Sequence, residues 1–454
     1  MVEIAFVDPY GKAREVVGQL LSPWDVIFSE SDRADVVLSY GTLIQTAKPT
    51  VAIPSKAPES CRCCEENGLR VINASNRKLD VLATETVKLN IRPRTGHLHT
   101  SPSRSETLGN EPSLAQSGHA AYLFPFDLVE EYLSKLNQVL NPEVSSIYGL
   151  LTGFPIPYRK APSMVRRLLL RSWKVNQNGA YSDHLDVDAL RYLLVRAIEG
   201  VTGRTLQKRT WKGCRYACLL THDIDTQEGL QRALILKRLE ETYDVPSAFF
   251  LLTDTYKLDA DVVQKLTNYG EVGVHDTKHD GKLIHLSLNG IKERLRKAKQ
   301  TLERTAQQDI VGFRAPLLQH NKNIMAALTD LGYEYDASIP TWEPKHPSTM
   351  GPHGIGTIYP IRIGGMVEIP TTVIQDHQLL YALGLQPREA IAVWLSTMAL
   401  IKELGGCCVL LSHPDYELFK TGNLAQYEEL LNMIASDKQG WVTTPRQVAD
   451  AVAL

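Results

Sequence analysis

Four short segments in the C-terminal half carry groups suited to hydrolysis: Asp223 and Asp225 in THDID, His275 and His279 in HDTKH, Arg314 in RAP, and His413 in LLSHPD. Two histidines four apart can turn both imidazoles toward one point, on a helical turn or a tight loop. Joined by one carboxylate, they form a His/His/Asp set that leaves a coordination position open for water, as catalytic zinc sites do. A cation held there lowers the pKa of its water toward about 7 and polarises a carbonyl. Asp223 and Asp225 are two apart, so in extended chain they point to one side. A divalent cation beside them screens their repulsion, and one acid can then ligate while the other takes a proton from water. His413 is placed to protonate a leaving nitrogen. Arg314 would hold the base ionised and oriented, preferably through a bidentate pair.

These residues need elements that bring them together. Between 211 and 454 the apolar runs RYACLLTH, PSAFFLL, EVGVH, DIVGFRAP, YEYDAS, MVEIPTT, CCVLLSH and GWVTTP alternate with helical segments. Seven or eight β/α units predict a closed or nearly closed, distorted (β/α)7-8 barrel, whose chemistry gathers at the C-terminal strand ends. Asp223 and Asp225 follow the first run, the two histidines the third, Arg314 the fourth and Asp336 the fifth, while His413 closes the seventh. All fall on one rim. Asp276 and His320 are read as supports beside it, His222 as either such a support or a packed strand-end histidine, and Thr371 and Thr372 as candidate substrate contacts.

The remaining chain is less specific. Residues 1–92 alternate EIAFVD, DVVLSYG, PTVAIPS and LRVINA with helix-like stretches, which predicts a small α/β domain with a parallel sheet; its role is open. Residues 93–120, rich in Ser, Pro, Gly and Thr, read as a linker or mobile loop. Residues 121–210 read as a mainly helical connecting region, with Gly200 as a helix stop and the acids of DHLDVD (183–188) as caps. The basic run Arg159, Lys160, Arg166, Arg167, Arg171 and Lys174 reads as a solvated face, with an anionic substrate or weak peripheral membrane contact as alternatives. CRCC (61–64) has no second ligand pair at zinc-finger spacing, and seven scattered cysteines fit reduced thiols. The 454 residues are 43% hydrophobic and carry 49 basic and 51 acidic side chains, a formal charge of −2. No whole-protein field for nucleic acid follows from that balance. With no signal-like start and no apolar window of about 18 residues, a soluble cytoplasmic protein is expected; the oligomeric state is left open.

In order, THDID, HDTKH, RAP and LSH resemble the motifs of the polysaccharide deacetylase family (NodB homology domain, carbohydrate esterase family 4-like), in its Asp-x-Asp variant, over about 215–450. The resemblance implies metal-dependent amide hydrolysis with Asp223 as base, Asp225, His275 and His279 as ligands, and His413 as general acid. Arg314, followed by Pro316, orients the base; Leu411 belongs to Leu-x-His, and the Leu317 N–H is the implied oxyanion donor. The cofactor implied is one divalent metal, zinc by default, with iron, cobalt, nickel or manganese also accepting N/O ligands. Ile224 separates aspartates that are commonly adjacent, and Leu317 stands where an aromatic residue often follows. The fourth motif's Asp-Trp pair is not evident after Asp336, and Trp342, Asp376 or His377 are candidates for its functions. The expected reaction removes an N-acetyl group from a sugar or sugar-like substrate, a cytosolic precursor. Alternatives are a cyclic ureide or imide C–N hydrolase on the same barrel, and a catalytically inactive carbohydrate-binding protein.

Overall fold

The computed structural model describes residues 1–8, 11, 13–29, 33–40, 48–53, 70–73, 79–84, 87–91, 97–100, 121–124, 126–146, 148, 181–420 and 422–453. CRCC and the basic run 159–174 lie outside the described residues, as does most of the expected linker. The chain divides into two compact units, Met1–Gln138 with Gly179–Arg209, and Val139–Asn178 with Thr210–Leu454. No described helix is long and apolar enough to cross a membrane.

In the first unit, β1 (Val2–Val7), β2 (Val26–Phe28), β3 (Val36–Tyr40), β4 (Thr50–Ile53) and β9 (Ala121–Leu123) form a parallel sheet in the order β2-β1-β3-β4-β9. VVLSY and TVAI are buried at every position, as central strands covered on both faces must be. LRVINA does not join this sheet. As β5 (Arg70–Asn73) it pairs antiparallel with β8 (His97–Thr100), which falls inside the stretch read as linker, and β6 (Leu79–Leu82) pairs antiparallel with β7 (Lys88–Ile91). Helices α1 (Ala13–Leu21), α2 (Leu128–Leu140) and α3 (Asp186–Thr202) complete the unit. α1 buries Ala13, Val16, Val17, Leu20 and Leu21, each larger side chain contributing about 1.5–3 kcal/mol relative to exposure. Leu185, the N-cap of α3, makes no side-chain bond, but Asp186 of DHLDVD accepts from the first-turn Val187 N–H at 3.2 Å. Asp186 pairs with Lys135 at 2.9 Å, and Asp188 with Arg191 at 3.1 Å. Buried Arg191 also donates to the Leu20 carbonyl at 3.0 Å, a cation at the end of α1 where the dipole favours one. α3 runs past Gly200 and stops at Gly203, whose left-handed φ of 64° lets its N–H reach Glu199 O at 2.9 Å.

In the second unit all eight apolar runs form strands: β10 (Tyr216–Ile224), β11 (Ser247–Leu251), β12 (Glu271–Val274), β13 (Gly312–Phe313), β14 (Tyr335–Asp336), β16 (Met366–Glu368), β17 (Cys407–Ser412) and β18 (Gly440–Val442). An unexpected β15 (Ile361–Ile363) forms an antiparallel hairpin with β16 through Gly364 and Gly365. The order is β15-β16-β14-β13-β12-β11-β10-β17, with β18 pairing the start of β10, and every pair but the hairpin is parallel. The sheet curls toward closure just past β16. Thr371 N bonds Ile339 O at 3.0 Å and Val373 N bonds Val409 O on β17 at 3.2 Å, while Thr372 Oγ1 accepts from Val409 N at 2.7 Å. Thr371 and Thr372 are therefore buried closure residues. Ala217, Leu219, Phe250, Tyr335, Ile369 and Val409 pack in one core. β13 approaches this core so closely that a Cβ on Gly312 would lie 2.0 Å from the Tyr335 hydroxyl. Helices α4 (Gln227–Thr242), α5 (Ala260–Thr267), α6 (Leu288–Ala306), α7 (Lys322–Asp330), α8 (Pro387–Leu404), α9 (Leu424–Ser436) and α10 (Pro445–Ala453) complete the unit. Thr226, Asp259, Ser287 and Asn321 cap four of them with side-chain oxygens.

Candidate active site

Strand alternation decides which end-of-β10 residues meet. Thr221 and Asp223 both contact Arg314, at 2.7 and 3.3 Å. His222 goes the other way, to Ser412 Oγ at 2.9 Å and Glu240 Oε1 at 2.8 Å, stacked on Phe249. It belongs to a buried network under α4 and not to the rim.

His275 follows β12 directly, and its Nδ1–H donates to the Arg314 carbonyl at 2.7 Å. That bond fixes the tautomer and leaves Nε2 facing inward, 3.3 Å from Asp225 Oδ1 and 3.7 Å from Asp223 Oδ2. His279 Nε2 lies 3.7 Å from Asp225 Oδ2. One ligand atom each from Asp225, His275 and His279 lies within 4.8 Å of the others. Burial pushes His275 below the usual imidazole range, toward the neutral form a metal needs. Two imidazole nitrogens and a carboxylate oxygen fit one divalent cation. The loop carrying the pair is braced from α6. Arg294 donates to Asp276 Oδ1 at 2.7 Å, to both Asp280 oxygens at 2.9 and 3.1 Å, and to Lys278 O at 2.9 Å, so its contacts bracket His279.

Burial alone would raise the Asp223 carboxyl, but His275, Arg314 and His413 beside it outweigh that and hold it below the usual range. Arg314 does not form the expected bidentate fork. Its Nη1 serves Asp223 and Thr221, and its Nε donates to Ala337 O at 2.8 Å, with the guanidinium 4.5 Å over Phe250. Nε is tied to the backbone after β14 and buried Nη2 makes no hydrogen bond, so Nη1 alone reaches the base. Asp336 is also not on the rim. It is fully buried opposite Glu368 on the neighbouring strand, takes a bond from Ser338 Oγ at 2.5 Å, and is pushed up by burial to about 6.

His413 leaves the end of β17, two residues after buried Leu411. Asp376 holds it twice, accepting from Nδ1 at 2.7 Å and from the backbone N–H at 2.8 Å. Burial lowers the imidazole's pKa, but the Asp376 carboxylate more than offsets this and the net shift is upward. The free edge, Nε2, lies 4.0 Å from Asp225 Oδ2, and Tyr416 stacks on the ring at 4.5 Å. Of the three candidates for the missing fourth motif, Asp376 orients His413. His377 packs with Tyr381 and Tyr416, and Trp342 is half-buried beside Glu343. Buried Glu343 is pushed up to about 8 by burial and accepts from Gln375, next to Asp376.

Pro316 opens a tight turn in which Leu317 and Leu318 both take left-handed backbone angles, φ 59° and 52°, at about 1–3 kcal/mol each for such residues. His320 Nδ1 and His346 Nε2 donate to Leu318 O at 2.8 and 3.0 Å, and His353 Nε2 meets His320 Nε2 at 2.9 Å. Burial drives His320 down to about 4, so the turn is held by neutral imidazoles. Arg294, Glu343, His346, His353 and Tyr416 were not anticipated. The closely spaced His346 and His353 could have been flagged in the sequence; an arginine on a charged helix offers no such signal.

Residues 216–335, roughly a quarter of the chain, match the family model described as Polysaccharide deacetylase. No curated protein matches. Among solved structures, a putative polysaccharide deacetylase from Mycobacterium smegmatis is 20% identical, covering 54% of this chain and 93% of that one, with a TM-score of 0.46. A probable polysaccharide deacetylase from Pseudomonas aeruginosa PAO1 is 14% identical, covering 53% and 92%, at 0.42. A CE4 family pseudoenzyme from Bacillus anthracis is 17% identical, covering 52% and 65%, at 0.35. The matched segment contains Asp223, Asp225, His275, His279 and Arg314, and over it this chain is similar to the polysaccharide deacetylase family.

Proposed function

We propose that the barrel is a metal-dependent amide hydrolase that removes an N-acetyl group from a sugar or sugar-like substrate, a cytosolic precursor. The observation that carries this reading is the meeting of Asp225, His275 and His279 ligand atoms within 4.8 Å, with Asp223 and His413 beside them. Asp225, His275 Nε2 and His279 Nε2 would hold the cation. Once bound, it supplies Lewis acidity toward water and the amide carbonyl.

The chain's own groups do the rest. Asp223, kept ionised by Arg314, accepts the proton of the attacking water. The Leu317 amide, fixed in its strained turn, serves as donor to the developing oxyanion. His413 Nε2 delivers a proton to the departing nitrogen, while Asp376 on Nδ1 keeps the ring in the tautomer and orientation that allow it. The test is acetate release from N-acetylglucosamine derivatives by the zinc-loaded protein, run beside allantoin-like rings. Acetate release that falls on the order of 10²–10⁴-fold in Asp223→Asn supports the reading. Ring opening without acetate release moves the substrate class to cyclic ureides, and turnover of neither substrate leaves the carbohydrate-binding alternative.

A further inference from the structure

We infer that Tyr148, outside both the matched family segment and the barrel strands, positions the loop that carries His279. This rests on the metal reading of the site. Asp225 and His275 extend directly from strand ends and are almost wholly buried, whereas His279 sits in a loop with 14% of its side chain exposed. Its position therefore depends on whatever fixes that loop's backbone. Arg294 braces the loop over 276–280. The far end is Gly281, whose left-handed φ of 72° turns the chain two residues after His279.

The Gly281 carbonyl accepts from the Tyr148 hydroxyl at 3.1 Å and from Gln319 Nε2 at 2.7 Å, and Gln319 Nε2 also donates to the Tyr148 oxygen. Tyr148 and Gln319 are both buried. The hydroxyl thus joins the His279 loop to the turn after Arg314, and its own segment is anchored by Ser145 N to Ser348 O at 2.9 Å. Removing the oxygen strips a donor from Gly281 and a partner from a buried amide N–H, which costs more than the net value of one bond. The loop end then relaxes, and His279 with it.

The test uses the full-length protein, stripped of metal and titrated with cobalt while its visible ligand-field bands are followed. Tyr148→Phe is expected to bind cobalt about three- to tenfold more weakly, less than the roughly 10–100-fold that direct partners of ligands contribute, with altered bands. Tyr359→Phe removes an equally buried hydroxyl, bonded to Leu404 O at the end of α8 rather than to the loop, and is expected to leave both unchanged. Equal affinity and bands for Tyr148→Phe and wild type would overturn the positioning role alone. Failure of wild type to take up one equivalent would overturn the metal reading itself, and this inference with it.

Discussion

Arg314 serves three acceptors with one buried guanidinium, Asp223, Thr221 and the Ala337 carbonyl. A lysine carries the charge but cannot aim separate N–H donors at these acceptors. Arg314→Lys is expected to lower kcat on the order of 10²-fold with little change in KM, because the base is lost from position while binding is not; steady-state acetate release checks it. Asp376 has a comparable duty, since its two oxygens take the two N–H groups of His413. An asparagine offers one oxygen and turns an N–H against the other donor. Asp376→Asn is expected to slow single-turnover acetate release on the order of 10²–10⁴-fold, and a rate within about threefold of wild type would remove His413 from the proton transfer.

At the scale of elements, the loop after β12 depends on α6. Arg294→Gln is expected to weaken zinc binding about 10–100-fold while leaving the α6 core of Ile291, Leu295, Ala298 and Leu302 intact; calorimetric titration and a thermal melt separate the two effects. Gly312→Ala acts oppositely, through packing. The added methyl meets the Tyr335 ring, and a loss of about 1–3 kcal/mol in denaturant unfolding is expected. The eight apolar runs of the barrel were legible because each is a strand long enough to show its pattern or is bounded by turn residues. β15 was not legible, because IRI runs antiparallel in a sheet whose other pairs are parallel and so falls outside the β/α rhythm. The rim positions of Asp223, Asp225, His275 and His413 followed from strand ends. What holds them did not, since Asp376 reaches His413 across 37 residues and Arg294 lies in KERLRKAK, a pattern that any solvated helix face would share. Asp336 was misplaced because a strand-end acid in sequence cannot be distinguished from one turned inward against Glu368.

For the molecule as a whole, several buried carboxyls of the second unit are driven toward the protonated form by burial: Glu343 to about 8, Asp336 to about 6, and Glu368 and Glu271 upward. The folded chain then holds protons that the unfolded chain releases near the usual carboxylate range. Their contribution is full at low pH and is lost as pH rises through the folded values, at up to about 1.4 kcal/mol per pH unit for each proton. Glu343→Gln is expected to reduce the fall in stability between pH 5 and pH 8, read from urea midpoints at the two values; an unchanged fall would mean that Glu343 is ionised in the fold. The convergence of Asp225, His275 and His279 bears on everything else, and anomalous diffraction from crystals grown with zinc tests it most directly. The expected map has one strong peak within bonding distance of the Asp225 carboxylate, His275 Nε2 and His279 Nε2, with Asp223 and His413 beside it. A map with no peak there, or with zinc bound only elsewhere on the protein, would contradict the metal centre and the hydrolysis built on it.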